Sequence, residues 1–291
     1  MAITPAMVKE LRQATNAGIL DCKNALVAHD GDFDKAVEHL RQKGLAKAAK
    51  KASREAKEGL VALIVSDEGR RASMIKVNCE TDFVVRNEYF TDLVDNLLQK
   101  VHSNSDITDV NSLLAMPFDD TNKTVDMAIQ EVISKFGENI VIGNVVKYYV
   151  EGNGFVHGYT HFGNKIGVMV ELGIENGETD SDILKELAND VALQITAMAP
   201  LYLRSEDVPS EIIEGERSIY LAQLAEDKKP DHIKALIIDG KLKKYYKERC
   251  LLEQLFVKDD KMSVGKYVQK VSKAVGIPII IKRFTRFQLG N

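Results

Sequence analysis

Apolar positions recur along this chain with two different periods, and the switch between them divides it. Over residues 1–45 the spacing is helical. Thr4-Pro5 offers a capping hydroxyl followed by a proline suited to a first helical position. Val8 and Leu11 give that first helix an apolar face. The chain breaks at Asn16-Ala17-Gly18. A second helix carries Cys22, Ala25 and Leu26 and ends near Asp30-Gly31. A third starts at Asp32, carries Phe33, Ala36, Val37 and Leu40, and is expected to stop at Gly44. The pieces can bury one another, which predicts a small helical domain. Residues 46–58 are rich in Ala and Lys but lack an apolar stripe, so they predict an exposed helical linker.

From Gly59 the period becomes that of strands. Leu60 to Val65 is apolar and β-rich, Asp67-Glu68-Gly69 turns the chain, and Ser73 to Cys79 returns it with Ile75, Val77 and Cys79 on one face. After Thr81-Asp82-Phe83-Val84 comes an amphipathic helix with Phe90, Leu93, Val94, Leu97, Leu98 and Val101 on one stripe. Residues 104–127 are acidic and weakly periodic, a connector or short helix. Ile140 to Val150 alternates and predicts a long strand. Phe155 to Thr160, the turn Phe162-Gly163-Asn164, and Ile166 to Leu172 then form a second hairpin, followed by a helix carrying Ile183, Leu187, Val191 and Ile195. The hairpin-helix arrangement thus occurs twice, about 95 residues apart, which predicts two related α+β subdomains. Ser210 to Glu226 and Asp231 to Arg249 read as helices separated by Asp227-Lys228-Lys229-Pro230, a helical hairpin in which Ile212, Ile219 and Leu224 face Ile233, Ile237 and Leu242. A helix from Ser263 to Val275, a stop at Gly276 and a basic strand from Ile277 to Gln288 complete the chain.

Composition narrows the classes. With 291 residues and 45% apolar content, the chain can bury a substantial core. Its net charge of -4 argues against a general nucleic-acid binder. Cys22, Cys79 and Cys250 are too few and odd in number for a disulfide framework, which favours a reducing compartment. No signal segment and no apolar run of the ~20 residues needed to span a bilayer is present, so a soluble cytoplasmic protein is expected.

Candidate chemistry is sparse. There is no Gly-rich phosphate loop or dinucleotide fingerprint, and Gly163-Asn-Lys-Ile-Gly167 reads as a hairpin turn. His157 and His161 share one face of a strand, but nothing completes a metal-ligand set. The cysteines lie in apolar patterns and read as packed core. No nucleophile has a base partner at motif spacing, so the expectation is no catalytic residue, no metal, no cofactor and no enzyme. Thr81 to Val84 admits two readings. It can be a helix start, with Thr81 or Asp82 as cap and Phe83 stapled into the core. It can also present an acid and an aromatic outward together. The residues alone favour the first.

Several segments carry a family resemblance. They are Val8-Lys-Glu-Leu-Arg-Gln-Ala-Thr15 through Gly18-Ile-Leu-Asp21-Cys22-Lys23, then Val77-Asn-Cys-Glu-Thr81-Asp82-Phe83-Val84. Gly137-Glu-Asn-Ile140, His161-Phe-Gly-Asn-Lys165-Ile-Gly167, Lys243-Lys-Tyr-Tyr, Leu251-Leu-Glu-Gln254 and Arg283-Phe-Thr-Arg286-Phe follow in order. Together they resemble the bacterial-type elongation factor Ts family over essentially the whole chain. The resemblance implies an α+β fold, with an N-terminal ubiquitin-associated-like three-helix domain (1–45), the linker (46–58), core subdomains at 59–139 and 140–205, a dimerising helical hairpin (206–250) and a C-terminal module (251–291). It implies a guanine-nucleotide exchange factor for elongation factor Tu, GDP-bound and nucleotide-free, acting as a homodimer or a two-plus-two complex, with no membrane and no direct nucleic-acid binding. Thr81, Asp82, Phe83 and Val84 would displace Mg²⁺ from that partner. Lys9, Arg12, Gly18, Ile19, Leu20, Lys23 and His161 would bind it. Ala14 and Asn16 before the loop, and Phe162 and Asn164 in the hairpin turn, depart from the family pattern. The alternative is an RNA-binding translation accessory protein using the basic stretch at 41–57 and the basic tail.

Overall fold

In a computed structural model, all residues are described except 1, 16, 67, 121–122, 176–180, 228 and 291. The expected break at Asn16 and the turn positions Asp67 and Lys228 lie outside the described residues. Helices α1 (Pro5–Thr15), α2 (Ile19–Ala28) and α3 (Phe33–Lys51) pack through Leu11, Cys22, Ala25, Leu26, Ala36 and Leu40. The side chain of Asp32 caps α3 by accepting from the Lys35 amide.

The expected stop at Gly44 is not there: α3 runs unbroken to Lys51. The Ala- and Lys-rich sequence past Gly44 has strong helix propensity. At Gly44 a Cβ would make only ordinary contact, 3.6 Å from Ser134 Oγ, so the position neither ends the helix nor requires a glycine for packing. Residues 46–51 are therefore the last turns of α3 rather than a separate exposed helix, and Ala48 is buried in the next core.

Strands β1 (Glu58–Val65), β2 (Arg71–Cys79) and β3 (Ile140–Tyr149) form an antiparallel sheet in that order. The expected boundary at 139/140 therefore falls one strand early, because β3 pairs with β2. Alternation identifies the strand but carries no information about its neighbour. Between β2 and β3 lie α4 (Asp82–Val85), α5 (Glu88–Ser103), α6 (Val110–Ala115) and α7 (Val125–Phe136). The whole expected stripe of α5, Phe90 through Val101, is buried against Ile75, Val77 and Cys79.

A second antiparallel sheet is made of β4 (Gly154–Thr160), β5 (Ile166–Ile174) and, after a long excursion, the C-terminal strand, in that order. Helix α8 (Asp182–Met198) covers it through Leu184, Leu187, Val191 and Ile195, while Ile183 points to solvent, off the expected face. Helices α9 (Ser210–Gln223) and α10 (Asp231–Arg249) form the hairpin around Leu224, Ile238 and Leu242. Ile212 and Ile219 are exposed, and Ile213 and Tyr220 pack in their place, so the expected face is rotated by one residue. Strands β6 (Leu255–Phe256) and β7 (Asp259–Ser263), helix α11 (Val264–Val275) and strand β8 (Ile279–Gln288) close the chain. Pro278 has no amide proton to give, and β8 begins after it, not at Ile277. Val61, Met74, Tyr148, Val156 and Met169 join the two sheets. Gly167 allows their close approach, since a Cβ there would lie 2.5 Å from Val61 Cγ1. The fold is α+β, and no helix among the described residues is long and apolar enough to cross a membrane.

Candidate functional site

The end of β2 is where the two readings of Thr81 to Val84 separate. Val84 is buried in the first core, and Cys79, at the end of β2, is fully buried. Phe83 is 78% exposed, so it does not staple into the core. The helix that carries it is only one turn long, and it turns Val84 and Val85 toward the core and Phe83 away from it. Thr81 is the N-cap residue of α4, but its side chain makes no capping bond. Its hydroxyl instead donates to Glu138 Oε1 at 2.6 Å, and its amide donates to Glu138 Oε2 at 2.9 Å. One carboxylate thus clamps the backbone and side chain of the residue two before the phenyl ring.

A second carboxylate continues the clamp. Glu80 Oε1 accepts from the Asn139 amide at 2.6 Å. Asn139 is buried and donates its side-chain amide to Arg54 O at 2.8 Å. The loop between α7 and β3 therefore ties the turn before α4 to the segment leaving α3. Asp82, next to the ring, is half-exposed and pairs with Arg86 one turn on, Oδ2 to Nη2, at 2.6 Å. Burial pushes the Cys79 thiol up to about 12, with Glu138 and Glu58 adding to it, so this sulfur stays protonated and packed rather than reactive.

The tip of the β4–β5 hairpin reaches the same end of the molecule. Lys165 at the tip pairs with Glu58 at 2.8 Å, and Glu58 is opposite Cys79 in the first sheet. His161 is exposed there, with Tyr159 OH 3.1 Å from its Nδ1. Gly163 and Asn164 take left-handed backbone conformations (φ 78° and 53°) that set the tight turn. Phe162 is 96% exposed. Sequence reasoning marks it only as a departure from a family pattern. A large apolar side chain between a histidine and a Gly-Asn turn is the available signal. His157, by contrast, is half-buried on β4, and burial lowers its pKa despite a hydrogen bond with Asn189. The two histidines do not form a site together, and no cluster of three potential metal ligands occurs among the described residues.

The remaining candidates lie in the N-terminal helices. Lys9, Arg12, Ile19 and Lys23 line a cleft of about 530 Å³ with Ile3, Pro5 and Val8, an apolar floor between cationic rims. Gly18, in extended conformation, is the N-cap residue of α2, and its carbonyl accepts from the Cys22 amide at 2.9 Å. Ile19 and Leu20 are exposed on the first turn of that helix. The structure therefore places these six residues on one helical body, and Thr81 to Val84 with His161 on another surface joined to it through α3 and residues 52–57.

Comparison with known proteins gives consistent results. The family model described as Elongation factor TS matches residues 80–291. Elongation factor Ts of Clostridium novyi (strain NT) is 45% identical over 290 residues, which covers 99% of this chain and 93% of the relative. Elongation factor Ts of Aquifex aeolicus (strain VF5) is 45% identical over 296 residues, covering 100% and 99% respectively. That of a Nitratiruptor species is 46% identical over 291 residues, covering 100% and 94%.

Proposed function

Since the chain belongs to the elongation factor Ts family and is by that a translation elongation factor, we propose that it binds elongation factor Tu and expels its guanine nucleotide. The observation that carries this reading is Phe83: a ring 78% exposed, on a turn whose backbone is clamped by Glu138. An exposed aromatic on a fixed support is a suitable anchor for another protein's pocket. Phe83 would wedge into an apolar crevice of the GTPase and shift the elements that hold its Mg²⁺. That ion needs near-octahedral oxygen ligands and offsets the charge of the nucleotide phosphates. Once it is displaced, the phosphates are poorly compensated and GDP leaves.

Asp82 supplies a negative charge beside the ring. Arg86 holds its carboxylate in the free protein, so Asp82 acts on the partner's cation or water shell only where Arg86 is shared with or surrendered to the partner. The cationic rims of Lys9, Arg12 and Lys23 and the exposed Ile19 and Leu20 would dock on the GTPase separately, with His161 as a third contact. No covalent chemistry is needed, and the protein would have no active site of its own. Linkage requires that bound nucleotide weaken this complex by the same factor as the complex weakens nucleotide.

The finer architecture we infer has α1–α3 as a ubiquitin-associated-like domain, the two sheets with α5 and α8 as related subdomains, and the α9–α10 hairpin as the surface for self-association. A cytoplasmic setting follows from the activity proposed. The decisive experiment is release of fluorescent GDP from elongation factor Tu with and without this chain. Catalytic amounts should accelerate release by orders of magnitude, and an unchanged rate would remove the exchange reading.

A further inference from the structure

Away from Phe83, the outer edge of β8 faces a cleft that the exchange reading does not use. β8 is the last strand of its sheet, so its outer side has no ladder partner among the described residues. The opposite wall is the extended segment Pro200 to Leu203, and the volume between them is about 570 Å³. That segment's Leu201 and Tyr202 amides already donate to Arg249 O.

Four cations line the cleft, and three of them reach a carboxylate, two sharing the same one. Arg283 and Lys282 both reach the buried Glu171, at 2.6 and 3.5 Å. Arg204 pairs with Asp207 at 3.4 Å. Arg286 has no carboxylate within ion-pair distance among the described residues. Its Nη2 makes one long hydrogen bond, 3.4 Å, to Thr196 O near the end of α8, and its Nε is buried without an acceptor. Desolvation lowers the pKa of this guanidinium, although it stays charged at neutral pH. The α8 dipole offsets part of that charge but not all of it. A half-buried cation held without a counter-charge, in a chain of net charge -4, is a local demand for an anion.

We propose that this cleft binds an extended acidic segment of a partner protein, which adds a strand to β8 and places a carboxylate on Arg286. Three features select a peptide. The unpaired strand edge offers backbone hydrogen bonds in register. Leu201, 59% exposed at the rim, and Met198 beside it offer apolar contacts that a free anion would not use. Of the two aromatic residues in the cleft, Phe284 packs into the core, so there is no platform on which successive nucleic-acid bases could stack. Edge charges on β8 also guard against pairing between copies, but two of the three, Lys282 and Arg283, are already engaged by Glu171.

Anisotropy of a fluorescein-labelled peptide of alternating Val and Glu, titrated with the full-length chain, tests this directly. We expect saturable binding that weakens at least about tenfold for Arg286→Gln, the loss expected for a buried charge pair. Leu201→Asp should weaken it too, by setting a carboxylate on the rim without touching the core. The Val–Gln peptide, and a Val–Glu peptide N-methylated at alternate residues, should not bind. Absence of binding to the wild type, or undiminished binding to both variants, overturns the proposal. So does displacement of the peptide by inorganic phosphate or by single-stranded RNA at equal charge concentration, which would reduce the cleft to a generic anion surface.

Discussion

Truncating Phe83 to Ala separates folding from function. In the free chain most of the ring meets solvent, so its removal should change folding stability by no more than about 0.5 kcal/mol. Thermal denaturation should be nearly superimposable on wild type. In the complex the balance differs. Full burial of a Phe side chain contributes about 1.5–3 kcal/mol. With 78% of the residue's surface still uncovered, roughly 1–2 kcal/mol of that remains to be gained on a partner. If this energy goes into displacing the metal-holding elements, release at saturating factor should slow roughly five- to thirtyfold, at about 1.36 kcal/mol per decade. Stopped-flow release of fluorescent GDP from elongation factor Tu, over a range of factor concentrations, reads both the plateau and the half-saturation point. An unchanged plateau in a folded Phe83→Ala chain refutes the wedge. A shift in half-saturation alone would make the ring an anchor and not a lever.

Four further outcomes are expected. Glu138→Gln leaves Thr81 with one good acceptor instead of two; it should cost about 1 kcal/mol of stability in denaturant unfolding and slow exchange although residue 138 need not touch the partner. Asp82→Ala should impair exchange most at low millimolar Mg²⁺, a range taken from the weak-binding end of affinities; indifference across a Mg²⁺ titration would exclude Asp82. Burial depresses the folded-state pKa of His157 below its ordinary value of 6.5, so its contribution to stability is complete above 6.5 and is lost as pH falls through the folded value; between pH 7.5 and 5, melting temperature should fall less in His157→Gln than in wild type. The α9–α10 hairpin exposes Ile212, Ile219 and Leu236, and sedimentation should show self-association at roughly tens of micromolar, with a strict monomer counting against that surface.

What can be read from the sequence follows from what is local. The stripe of α5 and the face of β2 bearing Ile75, Val77 and Cys79 depend on neighbours close in sequence, and both are buried as expected. The differences arise where the deciding partner is remote. Gly44 looks like a stop until Ala48, one turn on, is seen buried in the first core. The alternation of β3 does not say that β2 is its neighbour. Ile212 and Ile213 are equally apolar, and only the crossing of α10 determines which of them is covered. At the candidate site the same limit is sharper. Local pattern favours Phe83 as a core staple, and family resemblance supplies the outward reading. The Glu138 clamp spans 57 residues and has no local signature at either end.

That clamp explains how so short an element can present an aromatic side chain. A helix of four residues has no independent stability, because nucleation costs more than its few hydrogen bonds return. α4 is held by burial of Val84 on one side and by charge-assisted hydrogen bonds from Thr81 on the other. Each such bond is stronger than a neutral one and fixes orientation as well as position. The backbone entropy of the turn is therefore lost during folding, where the core offsets it, and not again on meeting a partner. An unsupported loop would lose about 1–2 kcal/mol per residue at that later moment, which over the four residues of Thr81 to Val84 would exceed all that burying Phe83 can return. The acids at Glu80 and Glu138 are thus as necessary to the proposed exchange as the ring itself, and replacing both should slow release at least as much as removing the ring, in a chain whose Phe83 is intact.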